Sequence, residues 1–591
     1  MEQLEIAEIR RSCMRVALGK EPADVVIRGG SVVDVHLGTV YEADVAVKSG
    51  RIAYVGDCEH TVGPGTEIVS VSGVLTPGFI DGHTHVGAAQ FSLTNLAKAV
   101  VAHGTFAICV DFHIPGIVGG LPAIRHLLDE VNRTPLRPLF TVGYQMYTQN
   151  GPLWNTNSIS GDDLLAALDW PEAIGISEWL LWFYAEPEQH PPAMQKLFDE
   201  TWRRGLLHVG HAHTYPRRDL QAYAALDASS DHEAVSVEEI VDRLKLGIHV
   251  MVRTDYAERL MPRVVAEGLP TDNLSWATDG LSGAFVRNRG HIDNAIRAAI
   301  GAGLDPIKAV QMASRNSANY FGIGDDFGSI APGRLANLVL VDALDTFNVK
   351  RVFSEGALVA IDGEYVQELE PPQRPERFLQ TMNVGKTITP RDLQIPAGDG
   401  PARRRVRVIG LGDPITKTIP MEFELPVSDG HVTADYEADV CHISVLDRNL
   451  ASGAIGNCMI HGLGITRGAL GISSTGGAAD IGVIGASPED MAAVVNHLIA
   501  IGGGAAVAVD GEIRASVPMP VFGLFSDEDP VTLLAQTAEL EAAIESLGAK
   551  VPLMRALRFS ALPRAVPSWK VCQRGLCDVG PFTAELVPIF P

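Results

Sequence analysis

The stretch TPGFIDGHTHV, residues 76–86, carries two histidines one residue apart, directly after an apolar run. In a β-strand the side chains at positions i and i+2 point to the same face, so the rings of His83 and His85 are expected to lie together. Two imidazoles on one face can bind one metal ion. The stretch therefore predicts a strand that ends in a metal site, and it directs attention to the ends of the other strands.

The chain that follows this stretch alternates between strand-like and helix-like segments. Apolar runs such as FAICVDFH, AIGISEW and LLHVGHAH alternate with amphipathic runs such as LTNLAKAVVAHG and SVEEIVDRLKLG. Repeated strand–helix units over about 250 residues are what a (β/α)8 barrel requires. The predicted fold class is therefore α/β, with a TIM-like barrel at residues 76–322.

Other segments predict further domains around the barrel. Residues 1–75 and 323–370 contain short apolar runs separated by glycine, which predicts one discontinuous, small β-sandwich domain. Residues 371–402 are rich in proline and arginine and predict a linker, whereas residues 403–591 predict an additional C-terminal α+β domain. In that domain Ser487 is expected to cap a helix that has Pro488 in its first turn.

Composition narrows the possible partners. The 591 residues include 47 Lys and Arg against 71 Asp and Glu, a formal net charge of 47 − 71 = −24, which argues against a nucleic-acid or anionic-membrane partner. The sequence shows no secretory leader and no membrane-spanning apolar run. Seven scattered cysteines without CxxC pairs predict reduced thiols and a cytoplasmic protein. We also expect a homodimer or higher homo-oligomer.

Polar side chains end several predicted strands, which is where a barrel places its functional groups. In chain order these are His83 and His85, Asp111 and His113, Glu178, His211, His232 with Glu233, and Asp279. Six of them are the expected metal ligands: His83, His85, Glu178, His211, His232 and Asp279. Four imidazoles with bridging carboxylates suit two divalent ions such as Zn, Mn or Fe.

The expected chemistry is hydrolysis by a metal-activated water. A bound metal lowers the pKa of water from about 15.7 to about 7. Asp279, at the last strand end, is suited to take the proton and pass it to the leaving group. Glu178 is expected to bridge the metals, and His113 is expected to take part in catalysis.

The substrate pocket is predicted from residues beside these ligands. Trp154, Trp179 and Trp182 are expected on loops near the barrel mouth, where they could stack on a flat ring or pack the barrel against another domain. Asp111, Ile114, Trp179 and His213 are the expected substrate contacts.

Several motifs resemble those of the amidohydrolase superfamily and, within it, bacterial adenine deaminases. TPGFIDGHTHV is similar to the opening strand of the superfamily, and GSIAPGRLANLVLVD resembles its return to the β-domain. GISEW, VGHAH, SSDHEA and ATDG stand where adenine deaminases carry a bridging glutamate, two histidines and a final aspartate. DIGVIGASPEDMAAVVNHLIAIGGG resembles their C-terminal domain. The resemblance implies a two-metal site and the hydrolytic release of ammonia from C6 of adenine.

Three stretches depart from the family pattern. Asp111 to Ile114 reads DFHI where adenine deaminases typically read Asp-Pro-His-Glu, and Thr278 to Gly280 reads TDG where they read Thr-Asp-Asp. Thr475 to Asp480 reads TGGAAD where they read Ser-His-Asp-Ser-His-Asn. Since each unmade buried hydrogen bond costs about 1–3 kcal/mol, these losses favour a substrate less polar than adenine or differently shaped.

Three functions remain open at this point. The first is a dinuclear deaminase of adenine or a related amino-heterocycle. The second is a hydrolase that opens the ring of a cyclic amide, imide or lactam with the same hydroxide. The third is a catalytically silent, metal-binding module. Released ammonia would distinguish the first from the second, and metal content without turnover would favour the third.

Overall fold

A helix and seven short strands precede the barrel. The computed structural model describes residues 3–143, 159–179, 181, 192–212, 215–398, 402–412, 417–475, 479–561, 568–579 and 584–591. The first elements are α1 (Gln3–Ala17), β1 (Val25–Arg28), β2 (Ser31–Asp34), β3 (Thr39–Glu42), β4 (Asp44–Lys48), β5 (Arg51–Gly56), β6 (Glu67–Ser70) and β7 (Val74–Pro77). Strands β5, β4, β1 and β6 form a four-stranded sheet in that order.

Eight parallel strands form the barrel and neighbour one another in chain order. They are β8 (Phe79–Asp81), β9 (Thr105–Val110), β10 (Arg137–Gly143), β11 (Ala173–Trp179), β12 (Leu207–Gly210), β13 (Ser230–Asp231), β14 (His249–Arg253) and β15 (Leu274–Ala277). Strands β9 and β15 are buried at every position, as expected for parallel strands covered on both faces. The first and last strands meet where Gly82 N donates to Trp276 O over 2.9 Å.

Four of the helices around the barrel strands begin at serine side-chain caps. The helices are α2 (Leu93–Ala102), α3 (His113–Val131), α4 (Gly161–Ala167), α5 (Pro192–Arg203), α6 (Arg217–Ala225), α7 (Val237–Leu244), α8 (Ala257–Ala266), α9 (Gly283–Arg289), α10 (Ile292–Gly301), α11 (Pro306–Ala313) and α12 (Arg315–Tyr320). Ser92, Ser160, Ser236 and Ser282 each accept a hydrogen bond from the backbone N–H three residues on. These bonds satisfy donors that a helix start leaves free, and they fix where these four helices begin.

After the barrel the chain returns to the small β-domain. Strands β16 (Leu338–Val341), β17 (Val349–Ser354), β18 (Ala357–Ile361) and β19 (Glu364–Tyr365) join β7, β2 and β3 in a seven-stranded sheet. Apolar side chains of both small sheets share one core, among them Ile27, Val45, Leu338 and Phe353. The two sheets therefore pack as a sandwich, and the predicted fold class is confirmed.

A ten-stranded sheet and a three-stranded sheet follow. The strands are β20 (Ile395–Pro396), β21 (Arg403–Leu411), β22 (Thr418–Ser428), β23 (His431–Val432), β24 (Val440–Leu446), β25 (Ile455–His461), β26 (Ala469–Ile472), β27 (Ile481–Gly485), β28 (Gly504–Val509), β29 (Glu512–Pro518), β30 (Ser568–Cys572), β31 (Gly575–Val579) and β32 (Ala584–Leu586). The helices are α13 (Pro488–Ala500), α14 (Pro530–Ser546) and α15 (Leu553–Ser560). Ser487 caps α13, as predicted, by accepting the N–H of Asp490.

The segment predicted as a linker packs against its neighbours. Phe378, Ile388 and Leu393 are each at most 2% exposed, and Arg374 forms ion pairs with both Glu130 and Asp527. The predicted domain boundaries stay predictions. Among the described residues, every helix is too short or too polar to cross a membrane.

Candidate metal centre at the barrel mouth

His83 and His85 converge on one carboxylate oxygen. They follow β8, and their Nε2 atoms lie 3.3 Å apart. Glu178, which precedes the last residue of β11, places Oε1 3.2 Å from His83 Nε2 and 3.1 Å from His85 Nε2. Three groups from two strands thus aim their lone pairs at one small volume.

Two further imidazoles lie near the same oxygen of Glu178. His211 follows β12, and its Nδ1 lies 3.7 Å from Glu178 Oε1. His232 follows β13, and its Nε2 lies 3.6 Å from the same oxygen. The rings of His83 and His232 stack at 3.9 Å between centroids. Glu178 Oε1 is therefore shared by all four predicted histidine ligands.

Asp279 extends the cluster from the last strand of the barrel. Its Oδ1 lies 3.6 Å from His83 Nε2 and 3.5 Å from His85 Nε2. The structure thus brings together all six residues predicted as metal ligands. Their individual ligand and catalytic roles stay predictions.

Asp111 and His113 form a second layer beside His85. His113 Nδ1 lies 3.0 Å from each carboxylate oxygen of Asp111, whose Oδ1 lies 3.8 Å from His85 Nδ1. The rings of His85 and His113 pack edge to face at 5.2 Å. Such a carboxylate fixes the orientation of both imidazoles.

Asp81 holds the first and last strand ends in register. Its Oδ1 accepts the N–H of His83 (3.3 Å) and that of Thr278 (2.9 Å), while Oδ2 accepts the hydroxyl of Thr278 (2.6 Å). His83 is thus bound directly to this carboxylate, and Asp279 follows Thr278, which is bound to it as well. The pairing therefore places a ligand from β8 opposite one from β15.

The pKa values in the cluster reflect its crowding. Burial by itself would raise the pKa of Glu178, but the charge of His85 and hydrogen bonds from three histidines hold it well below its usual range. Burial would lower the pKa of His85, yet Glu178 and Asp111 raise it well above its usual value. Burial and the charges of His83 and His211 lower the pKa of His232 far below its usual value. Glu178 is thus a carboxylate and His232 is neutral, which are the forms that bind metals, whereas His85 must lose its proton to bind one.

The donor set fits a divalent metal ion. Ligand atoms of His83, Glu178, His232 and Asp279 all lie within 4.8 Å of one another, and so do those of His85, Asp111, His113 and Glu178. His232 is 1% exposed, and neither of its ring nitrogens has a hydrogen-bond partner in the described part of the chain. A buried imidazole nitrogen without a partner is costly unless a cation occupies its lone pair.

Two further charged residues lie at the site: Arg253, which was not predicted, and Glu233, which was noted at a strand end without an assigned role. Arg253 ends β14, and its Nη1 lies 2.6 Å from Asp279 Oδ2. Glu233 lies next to His232, and its Oε1 lies 3.5 Å from His232 Nε2. Arg253 could have been found by the rule that identified the ligands, because it too ends a barrel strand. No local pattern, however, indicated that a cation would pair with Asp279.

The structure corrects the expectation that Trp179 lies on a loop at the barrel mouth, and it places Phe112 in the core. Trp179 is the last residue of β11 rather than part of a mouth loop, and it is fully buried against Phe198 and Tyr223, with ring centroids 5.5 and 4.2 Å away. Because neighbouring strand residues face opposite ways, Glu178 turns inward while Trp179 turns to the helices. Phe112 is 2% exposed and stacks on Phe140 at 6.4 Å, so it belongs to the core.

Other pocket residues remain predictions. Ile114 is the second residue of α3 and is half-buried against the main core. Trp154, Trp182, His213 and Gly476 to Ala478 lie outside the described residues.

A parallel eight-stranded barrel with this set of imidazoles and carboxylates at its C-terminal end defines a class of protein, the metal-dependent hydrolases. Comparison with known proteins agrees. The amidohydrolase family model matches residues 74–359, and the model of the adenine deaminase C-terminal domain matches residues 415–583.

Curated relatives match almost the whole chain. An adenine deaminase of Moorella thermoacetica is 32% identical over 97% of this chain and 97% of its own length. Adenine deaminase 3 of Rhizobium meliloti is 32% identical over 98% of this chain and 99% of its own. A zinc-bound adenosine deaminase structure from Xanthomonas campestris superposes with a TM-score of 0.43 at 17% identity, covering 59% of this chain and 95% of that chain. The chain belongs to the adenine deaminase family of amidohydrolases. It is a metal-dependent hydrolase that acts on C–N bonds other than peptide bonds.

Proposed function

We propose that the protein deaminates adenine or a closely related amino-heterocycle. In this reaction one water replaces the exocyclic amino group, so that adenine and water give hypoxanthine and ammonia. The observation that carries the proposal is the convergence of His83 and His85 on Glu178 Oε1 within 3.2 Å. The nearly full-length similarity to adenine deaminases supports the choice of reaction.

Each proposed role follows from the position of a side chain. His83, His85, His211, His232, Glu178 and Asp279 would hold two divalent ions, Mn, Fe or Zn, with Glu178 between them. When bound, such ions lower the pKa of water to about 7 and supply hydroxide at neutral pH. Asp279 lies at the rim of the cluster with 18% of its side chain exposed, so it can reach both the water and the substrate.

Proton transfer is assigned to Asp279. Its carboxylate takes the proton of the attacking water and delivers it to the leaving amino nitrogen, which departs as ammonia. His113, held by Asp111 at 3.0 Å, is suited to polarise the ring nitrogen beside the attacked carbon. Asp111, Ile114 and His213 are proposed to border the substrate.

Two finer expectations belong to the same proposal. We infer a cytoplasmic enzyme, because the described cysteines are all free and buried and a reducing compartment suits them. We also infer a homodimer or higher homo-oligomer, which sedimentation of the purified protein would test.

A product assay tests the proposal directly. Purified protein is loaded separately with Mn, Fe and Zn and incubated with adenine, other amino-heterocycles and a set of lactams and cyclic imides. We expect ammonia together with a product in which oxygen replaces the amino group. A product heavier by one water without ammonia would identify ring opening, and metal binding without any product would identify a silent module. Either result would overturn the proposal.

A further inference from the structure

Arg253 lies between two carboxylates on neighbouring strands. The order of the sheet places β14 between β13 and β15, so Arg253 stands between Glu233 on one side and Asp279 on the other. Its Nη1 lies 2.6 Å from Asp279 Oδ2 and 3.5 Å from Glu233 Oε1. One guanidinium nitrogen therefore lies within ion-pair distance of both carboxylates.

The two oxygens of Asp279 have different surroundings. Oδ2 is paired with Arg253, whereas Oδ1 faces His83 Nε2 at 3.6 Å and His85 Nε2 at 3.5 Å. A carboxylate held by one oxygen can present only the other to its remaining neighbours. The pairing thus determines which way the carboxylate of Asp279 is turned.

Arg253 is itself held in place. Its Nε and Nη2 each lie 3.3 Å from an oxygen of Asp255, and its guanidinium lies 4.7 Å from the centre of the Tyr256 ring. Only 15% of the side chain is exposed. A planar guanidinium with several fixed donors orients a partner more firmly than a lysine ammonium can.

We propose that Arg253 is a positioning residue for Asp279. It holds Oδ2 so that Oδ1 faces the histidine cluster, and it keeps Asp279 apart from the carboxylate of Glu233. Without the cation, the two acids would repel each other across the end of β14, and the side chain of Asp279 would turn away. This inference rests on the proposed function only through the role given there to Asp279.

The test compares R253M and R253K with R259M as a matched control. Arg259 is exposed and also lies over the Tyr256 ring, at 4.8 Å, so R259M removes a nearby cation that does not pair with Asp279. For R253M we expect kcat to fall about 10- to 100-fold, with KM within about twofold and metal content unchanged. We expect R253K to recover part of the loss and R259M to match the wild type.

Three results would overturn the proposal. The first is an unchanged kcat in R253M. The second is a raised KM with unchanged kcat, which would mean that Arg253 contacts the substrate directly. The third is loss of metal, which would mean that Arg253 only supports the metal ligands. The double variant R253M/E233Q should exceed R253M in kcat, and an equal kcat would refute the separation of the two acids. If R253M does not fold, R253K and E233Q take its place in the test of the positioning role. Their kcat and KM are then compared with those of the wild type in the same way.

A crystal structure of the R253M protein separates this inference from the proposed function. We expect Asp279 Oδ1 to leave its position near His83 Nε2, and an unmoved carboxylate would refute the positioning role. The position of Asp279 in R253M tests the positioning role even if the wild-type protein deaminates nothing. In that case the proposed function would be wrong, but the positioning role would still be decided by the structure.

Discussion

Glu178 and Asp279 hold backbone conformations that non-glycine residues rarely adopt. Their φ angles are 51° and 55°, and Phe112, between Asp111 and His113, has φ 51°. Each such residue costs of order 1 kcal/mol or more and persists only where the surroundings enforce it. At all three strand ends, this turn of the backbone accompanies a carboxylate aimed into the barrel mouth. Backbone strain of this kind is therefore present at three strand ends where the proposed chemistry needs orientation.

At this scale we expect Asp279→Asn to abolish most turnover without loss of metal. The amide keeps the shape and an oxygen, but it cannot take up the proton, so kcat should fall about 10²- to 10⁴-fold. Steady-state kinetics and metal analysis of the same preparation check both parts. Asp272→Asn, at the opposite end of β15, is the control and should leave kcat unchanged. Substantial activity in Asp279→Asn would contradict the proton-transfer role.

At the scale of the elements, close packing of β11 against β12 determines the position of Glu178. The register between the two strands shifts after Ile176, and Gly175 packs directly against the carbonyl of Leu207. A side chain at residue 175 would collide with that backbone oxygen, which cannot move aside without breaking the pairing. The glycine thus permits the strand geometry that carries the bridging carboxylate.

We therefore expect Gly175→Ala to destabilise the barrel by about 1–3 kcal/mol and to lower metal affinity. Gly301→Ala is the matched control, because Gly301 ends α10 with no heavy atom within 4 Å of an added Cβ. That change should be neutral or stabilise by up to about 1 kcal/mol. Urea unfolding of both proteins measures the difference, and equal free energies of unfolding would contradict the packing argument.

In the whole molecule, Arg374 connects the barrel to the C-terminal domain. Its Nη1 lies 2.6 Å from Glu130 Oε2 on α3, and its Nη2 lies 2.7 Å from Asp527 Oδ1. Glu130 has 2% of its side chain exposed and also accepts hydrogen bonds from Thr94. The barrel mouth is further joined to this region by Asn95 Nδ2, which donates to Glu528 O over 2.9 Å.

Arg374→Met should cost about 3 kcal/mol or more, because it leaves the buried Glu130 without its cation. Thermal unfolding should then show the C-terminal domain separating from the barrel as an earlier transition. Arg377→Met, an exposed arginine in the same segment, should change the free energy of unfolding by no more than about 0.5 kcal/mol. A single transition at the wild-type temperature in Arg374→Met would count against the coupling.

Stability should also fall in mild acid, and His442 in β24 should account for part of the loss. Burial lowers the pKa of His442 to about 4, compared with about 6.5 in the unfolded chain. As the pH falls from about 6.5 to about 4, the unfolded state binds a proton that the folded state excludes, so the free energy of unfolding decreases. At higher pH both states are neutral and the full stability is present.

The proton linkage of His442 is worth at most about 3 kcal/mol. His442→Gln should therefore show a smaller loss of unfolding free energy between about pH 7.5 and about pH 5 in urea titrations. His36→Gln, at an exposed turn, is the control and should keep the dependence of the wild type. An unchanged pH dependence in His442→Gln would mean that other groups carry the whole effect.

The fold and most of the candidate site could be read from local patterns. The alternation of apolar strands and amphipathic helices predicted the barrel, and the rule that strand ends carry function selected Glu178 and the five residues that the structure gathers around it. The prediction that Trp179 lies on a mouth loop was wrong because an exposed loop and a strand terminus look alike in sequence. A shift of one position along a strand moves a side chain from one face of the strand to the other. Arg253 was not predicted because its role depends on Asp279 and Glu233, which are distant along the chain.

The sequence by itself determined the periodicity, the strand-end residues and the family likeness, since these depend on neighbours within a few positions. Only the tertiary structure decided that four histidines share one oxygen of Glu178, and that a cation from β14 stands between two acids. Closing a barrel brings the ends of all eight strands to one rim, and the register of each pair sets the distances there to within a few ångströms. That closure depends on contacts between residues far apart in the chain, and no local pattern encodes them.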